Sequence, residues 1–161
     1  MNETTKFDWK KHLVECMRST EFCALATVDL NGAWSNPVYF AWDESFTIYF
    51  ISQPHSRHMK NIARDGRVSI SIYSTEQSTF GDVKGIQLEG IATIAQNTDA
   101  ACAVYYGRKY PNTAIEELKR TDQYIADASW QYVQIIPKQL YYFDTGKFGE
   151  QRQQVSNAVF E

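Results

Sequence analysis

Cysteine is scarce in this chain: Cys16, Cys23 and Cys102 are the three among 161 residues. They lie far apart, form no C-x-x-C pair and are odd in number, so neither a disulfide framework nor a cysteine metal site is expected. They read as reduced, buried thiols of a cytoplasmic protein. Histidine is as rare. His55-x-x-His58 has no nearby cysteine or carboxylate to complete a ligand set, and no metal is expected.

A surplus of charge is also missing. Sixteen Lys and Arg against 19 Asp and Glu leave a formal net charge of −3, which argues against nucleic acid as a partner held by bulk electrostatics. No apolar run approaches a membrane span, and the polar stretch Met1 to Lys10 is no signal peptide. The signatures G-x-S-x-G, G-x-G-x-x-G and the P-loop are absent, so a serine hydrolase elbow and the common nucleotide-binding loops are unsupported.

Aromatic side chains are plentiful by contrast: 14% of the chain, ten of them Tyr. They suit strands and stacking surfaces. The length favours a single domain over 1–161, and a chain this size buries roughly 70% of its unfolded surface without staples.

Trp9, Leu13, Cys16 and Met17 recur at helical spacing and predict a helix over Phe7–Ser19. Three strands follow, Phe22–Asp29, Trp34–Trp42 and Phe46–Ser52, with an Asn31-Gly32 turn between the first two. A short helix over Ser56–Arg64 is closed by Gly66, read as a left-handed terminator. Arg67–Ser74 and Gly85–Ala95 alternate as strands around a polar loop, Thr75–Lys84. Asn97 caps a helix to about Tyr110, and a second helix is expected over Thr113–Lys119. Trp130–Ile136 and Gln139–Thr145 read as two last strands around Pro137, followed by a polar, mobile tail from Gly146 to Glu161. Seven short strands predict a mainly β domain, a closed or nearly closed β-barrel with flanking helices, because closure removes exposed edges.

Three places could carry chemistry. The first turn of the Ser56 helix holds Arg57, His58 and Lys60, with Arg64 a turn later. Cations oppose the positive end of the helix dipole, an arrangement an anion would relieve: a phosphate would satisfy the free N–H groups, the Ser56 hydroxyl and the cations together. A solvated basic face is the equal alternative. Pro37 cannot donate to a β-ladder, so it marks an edge, a bulge or a gap where backbone groups stay free for a ligand, although a plain edge strand is the commoner case. Gln87 lies on the polar face of its strand and offers a donor and an acceptor; plain solvent exposure explains it as well.

The order of these pieces resembles the FMN-binding split barrel of the pyridoxamine-5′-phosphate-oxidase-like superfamily. The likeness runs from ALATVDLNGAWSNPVYFAW through FTIYFISQPHSRHMKNIARDGRVSISIY to IQLEGIATIA. Its hallmarks are the Ser/Arg/Lys-rich helix start before Asn61-Ile62 and the strand Ile86-Gln87-Leu88-Glu89-Gly90. The resemblance implies FMN as cofactor, with Ser56, Arg57 and Lys60 on its phosphate. Asn36, Pro37 and Val38 would line the isoalloxazine ring; Phe50, Ile51 and Ser52 the ribityl chain; Gln87 the flavin or its phosphate. It also implies a homodimer with flavin between subunits, where Trp130 closes a partner's site.

The chain departs from true pyridoxamine-phosphate oxidases. The tail lacks their Arg-x-His, and Tyr105 to Pro111 matches their Tyr-x-x-x-Arg-Pro only in part, which argues against vitamin B6 as substrate. Tyr106, Arg108 and Lys109 remain candidates for an anionic small substrate. Three readings follow: an FMN-dependent oxidoreductase with no catalytic residue assigned, a non-catalytic carrier or sensor of FMN or haem with His12, His55 or His58 as iron ligand, and a flavin-free structural dimer.

Overall fold

The structure is a computed structural model that describes residues 7–76, 81–114, 116–117 and 129–159. Helix α1 (Trp9–Arg18) is capped by Asp8, whose carboxylate accepts from the Lys11 N–H at 3.0 Å. It buries Leu13, Cys16 and Met17. Strands β1 (Phe22–Asp29) and β2 (Gly32–Tyr39) form a hairpin in full register, Asp29 opposite Gly32. Gly32 takes φ +114°, a conformation that needs glycine beside the tight turn.

The predicted strand Trp34–Trp42 is two strands. The ladder breaks at Phe40, and β3 (Ala41–Trp42) pairs instead with β4 (Ile48–Ser52). Phe46, expected inside β4, lies in the turn before it. It adopts φ +58° with its ring fully packed, where the Asp43 carboxylate accepts from the Ser45 and Thr47 N–H groups. After α2 (Arg57–Arg64), strands β5 (Arg67–Tyr73) and β6 (Lys84–Ile94) pair antiparallel, and α3 (Thr98–Lys109) starts at its expected Asn97 cap.

The two last strands are one, β7 (Gln131–Asp144). Pro137 does not split it because the register shifts between Glu89 and Gly90, and a bulge there absorbs the missing donor. The tail, expected to be mobile, forms secondary structure among its described residues. A helical turn α4 (Thr145–Phe148) leads to β8 (Gln153–Val155), which pairs with Leu140–Tyr142 of β7 and buries Val155. The sheet of the described residues thus has eight strands, not seven. Gly66 is not left-handed. It is glycine because a Cβ there would stand 2.7 Å from the Ala92 carbonyl oxygen. The expected helix Thr113–Lys119 falls only partly within the described residues, where Glu116 and Glu117 are helical.

The strand order is β2-β1-β5-β6-β7-β4-β3, with β8 beside β7, and every pairing is antiparallel. Its two ends, β2 and β3, are halves of one segment joined at Phe40. The sheet therefore curls into a barrel whose seam is crossed by the chain itself. Leu25, Phe40, Phe50, Ile70, Ile72, Ile86 and Leu140 fill it. A second cluster of Tyr105, Tyr106 and Tyr132 lies under α3.

Candidate functional site

Helix α2 begins at Ser56, which is extended (φ −64°, ψ 155°) and makes no side-chain cap bond; its first turn holds no acid. Arg57, Lys60 and Arg64 share one face by helical spacing. They line an open cleft of about 610 Å³ with Asp29, Asn31 and His55. Arg57 Nε donates to Asp29 Oδ2 at 2.7 Å, and its guanidinium lies 4.4 Å over the Trp34 ring. That bond holds the Asp29 carboxyl below its ordinary pKa. Arg64 Nη2 donates to the Val28 carbonyl at 2.6 Å. Lys60 is exposed. Three cations thus meet one carboxylate, in a chain whose net charge is −3.

Ser56 does not join them. It turns to the β4 side, where His58 Nε2 lies 2.7 Å from Ser52 Oγ and 3.2 Å from Ser56 Oγ. Burial lowers the His58 pKa, so the imidazole is neutral rather than one of the helix's cations. Asn61, buried on α2, ties the helix to the barrel: its Nδ2 donates to Thr27 Oγ1 at 3.0 Å.

A second region is the outer face of the sheet. Cys23, Leu25 and Thr27 of β1 point inward, so Phe22, Ala24, Ala26 and Val28 point out. Cross-strand pairing sets two outer rows, Pro37–Ala24–Ser71–Gln87–Tyr141 and Ser35–Ala26–Ser69–Glu89–Gln139. Small side chains form the floor, and exposed Phe22 and Tyr73 edge a hollow of about 450 Å³ over Ala24, Ser35 and Pro37. Arg152 of the tail donates to Gln87 Oε1 at 2.7 Å.

The sequence candidates therefore divide. Pro37 and Gln87 share the outer face; Arg57 and Lys60 share the cleft; Ser52 and Ser56 meet at His58. Asn36 and Val38 have the opposite parity to Pro37, and Asn36 Oδ1 is buried without a hydrogen-bond partner among the described residues. Phe50 is in the barrel core, and Ile51 packs against the cluster under α3. Trp130 is half-buried just before β7.

Tyr106 is fully buried. Arg108 is half-buried, donates to the Met17 and Thr20 carbonyls at 2.9 and 2.7 Å, and stacks 3.8 Å over Trp42, so it couples α3 to the end of α1. Lys109 Nζ lies 5.7 Å from the Tyr39 ring. His12 stacks on Phe7, while His55 stands exposed in the cleft. Among the described residues no group of His, Cys, Asp and Glu could hold a metal. Sequence reasoning missed Asp29, Thr27 and Arg152, whose partners lie 28, 34 and 65 residues away along the chain.

A sequence profile described as pyridoxamine 5′-phosphate oxidase matches residues 9–144. The chain belongs to that family. Solved structures of similar fold include a conserved hypothetical protein, Rv2991, from Mycobacterium tuberculosis, 21% identical with a TM-score of 0.73 over 97% of each chain. A haem-binding protein from Mycobacterium smegmatis is 16% identical with a TM-score of 0.72 over 97% of this chain, which spans only 61% of that protein. HutZ, a haem storage protein from Vibrio cholerae, is 18% identical with a TM-score of 0.62 over 83% of this chain and 94% of its own. At these identities the likeness is one of fold. No curated protein matches the chain in sequence. As a member of the pyridoxamine 5′-phosphate oxidase family, the chain has the expected curled antiparallel barrel with flanking helices, and no described helix is long and apolar enough to cross a membrane.

Proposed function

We propose that this protein is an FMN-binding homodimer that acts as an oxidoreductase on a small molecule. The observation that carries the reading is the cleft at α2, where Arg57, Lys60 and Arg64 outnumber the single carboxylate of Asp29. A helix start without a side-chain cap and without acid, beside cations in excess of carboxylate, fits a phosphate. The residues present fit that end of the cofactor. Arg57 and Lys60 would hold it, and the outer-face row with Pro37 and Gln87 would receive the ring. Bound FMN would supply hydride or electron transfer; the chain supplies position and charge, and no side chain is assigned a proton-transfer step.

Dimerisation follows from the same face. Phe22 is 54% and Tyr73 49% exposed on a floor of small residues, an apolar surface that a second copy would cover. Light scattering at working concentration then gives about twice 18.6 kDa.

Haem is the second reading. It is favoured by the exposed imidazole of His55 in the cationic cleft, which could take iron while the cations take propionates. The haem-binding neighbours share this fold.

Titrating FMN, riboflavin and haem into wild type and Lys60→Ala tests both readings. A charge-assisted bond is worth about 1.5–3 kcal/mol, and Lys60 is exposed, so the lower end applies: FMN affinity falls about tenfold. Riboflavin, which lacks the phosphate, loses far less. Equal losses for both flavins refute the clamp. Uptake of haem with a His55-dependent absorption band, and no flavin uptake, favours the second reading.

A further inference from the structure

Arg152 Nε donates to Gln87 Oε1 at 2.7 Å. A guanidinium has only donors, so the amide atom facing it must be the oxygen. The Gln87 amide nitrogen is thereby turned away, and it makes no hydrogen bond among the described residues. It belongs to the row Pro37–Ala24–Ser71–Gln87, beside the small-residue floor.

Arg152 is itself seated. Its guanidinium lies 5.6 Å from the Phe143 ring, and Phe143 covers Gly85, where a Cβ would meet the ring at 2.5 Å. The next residues pair with β7, Tyr141 opposite Gln154, and Val155 is buried. The tail thus delivers Arg152 to Gln87 from a fixed strand.

We propose that Arg152 is a positioning residue that sets the polarity of Gln87, so that Gln87 meets a bound heterocycle as a hydrogen-bond donor. The ligand edge that fits carries a carbonyl oxygen or an unprotonated ring nitrogen, as the pyrimidine end of a flavin does. The inference rests on the flavin reading and assigns one contact within it.

The test is FMN titration of wild type, Gln87→Glu, Gln87→Ala, Arg152→Ala, Arg152→Lys and the Gln87→Ala/Arg152→Ala double variant. Gln87→Glu keeps a partner for Arg152 but removes the donor, and FMN affinity falls about tenfold. Arg152→Ala frees the amide to turn either way, a loss of about threefold, and Arg152→Lys restores it. Both Gln87→Glu and Arg152→Ala shift the visible band of bound flavin, a signature that loss of a mere tail anchor would not move. In the Gln87→Ala background, removing Arg152 costs nothing further, because its effect passes through Gln87. Additive losses in the double variant, or Gln87→Glu binding as tightly as wild type, overturn the inference and leave the flavin reading standing. A wild type that takes up no flavin overturns both.

Discussion

Replacing Thr27 by Val tests how α2 is held in place. Thr27 and Asn61 are each 4% exposed and joined by a 3.0 Å hydrogen bond between a barrel strand and the helix that bears the cleft. Val keeps the shape of Thr but removes the hydroxyl, which leaves the buried Asn61 amide without its acceptor. Stranding a buried polar group costs about 1–3 kcal/mol. At about 2–4 °C per kcal/mol for a chain this size, the melting temperature falls by roughly 2–12 °C. Asn61→Ala loses the same bond from the other side. The double variant has no stranded partner, so the two losses fail to add, by about 1 kcal/mol. Urea denaturation measures this as shifts of midpoint at constant slope. FMN affinity should fall with Thr27→Val, since the cations ride on the helix that Asn61 anchors. Strict additivity, or a Thr27→Val loss below about 0.5 kcal/mol, would refute the account.

Two further outcomes follow from buried groups. Burial pushes the Cys16 thiol up to about 11 and the Cys23 thiol up to about 12, so neither reacts with a thiol reagent at pH 8 in the folded protein, while both react in denaturant; fast labelling of the native protein would contradict this. The His58 pKa is lowered from 6.5 by burial, so the unfolded chain binds this proton more readily than the folded one. Stability is then full above pH 6.5 and declines as pH falls below it toward the folded pKa, and His58→Gln, which cannot take the proton, removes this part of the decline in a pH series of melting temperatures.

Local patterns were legible and distant partners were not. The alternation of Val68, Ile70 and Ile72 and the Asn97 cap each depend on neighbours within a few residues, and both elements formed as read. Phe40 failed as a strand interior because its segment changes partner from β1 to β4, a choice made by residues elsewhere in the chain. Pro137 looked like a break because the bulge that tolerates it, at Lys138 beside it on β7, is defined only by the pairing with Glu89 and Gly90 of β6. The tail looked mobile because its polar letters hide Val155, whose burial depends on pairing with Leu140. At the α2 cleft the cations were visible as a run, whereas the sides on which Ser56 and His58 face depended on Ser52.

Strand β4 has a consequence for the protein's life before it is folded. Its sequence, IYFIS, finds its main partner in β7, with Ile48 opposite Ile135 and Ser52 opposite Gln131. During synthesis at roughly 5–20 residues per second, an apolar strand waits several seconds for the segment that will cover its side. A nascent chain in that interval presents a short, uncharged β-former of the kind that seeds aggregation. The two-residue β3 shields only its first rungs, through Ala41 and Trp42. Expression yield in a cell with limited chaperone capacity should therefore respond to charge introduced at Tyr49, which is half-buried beside α3, more than the stability of the finished barrel would suggest.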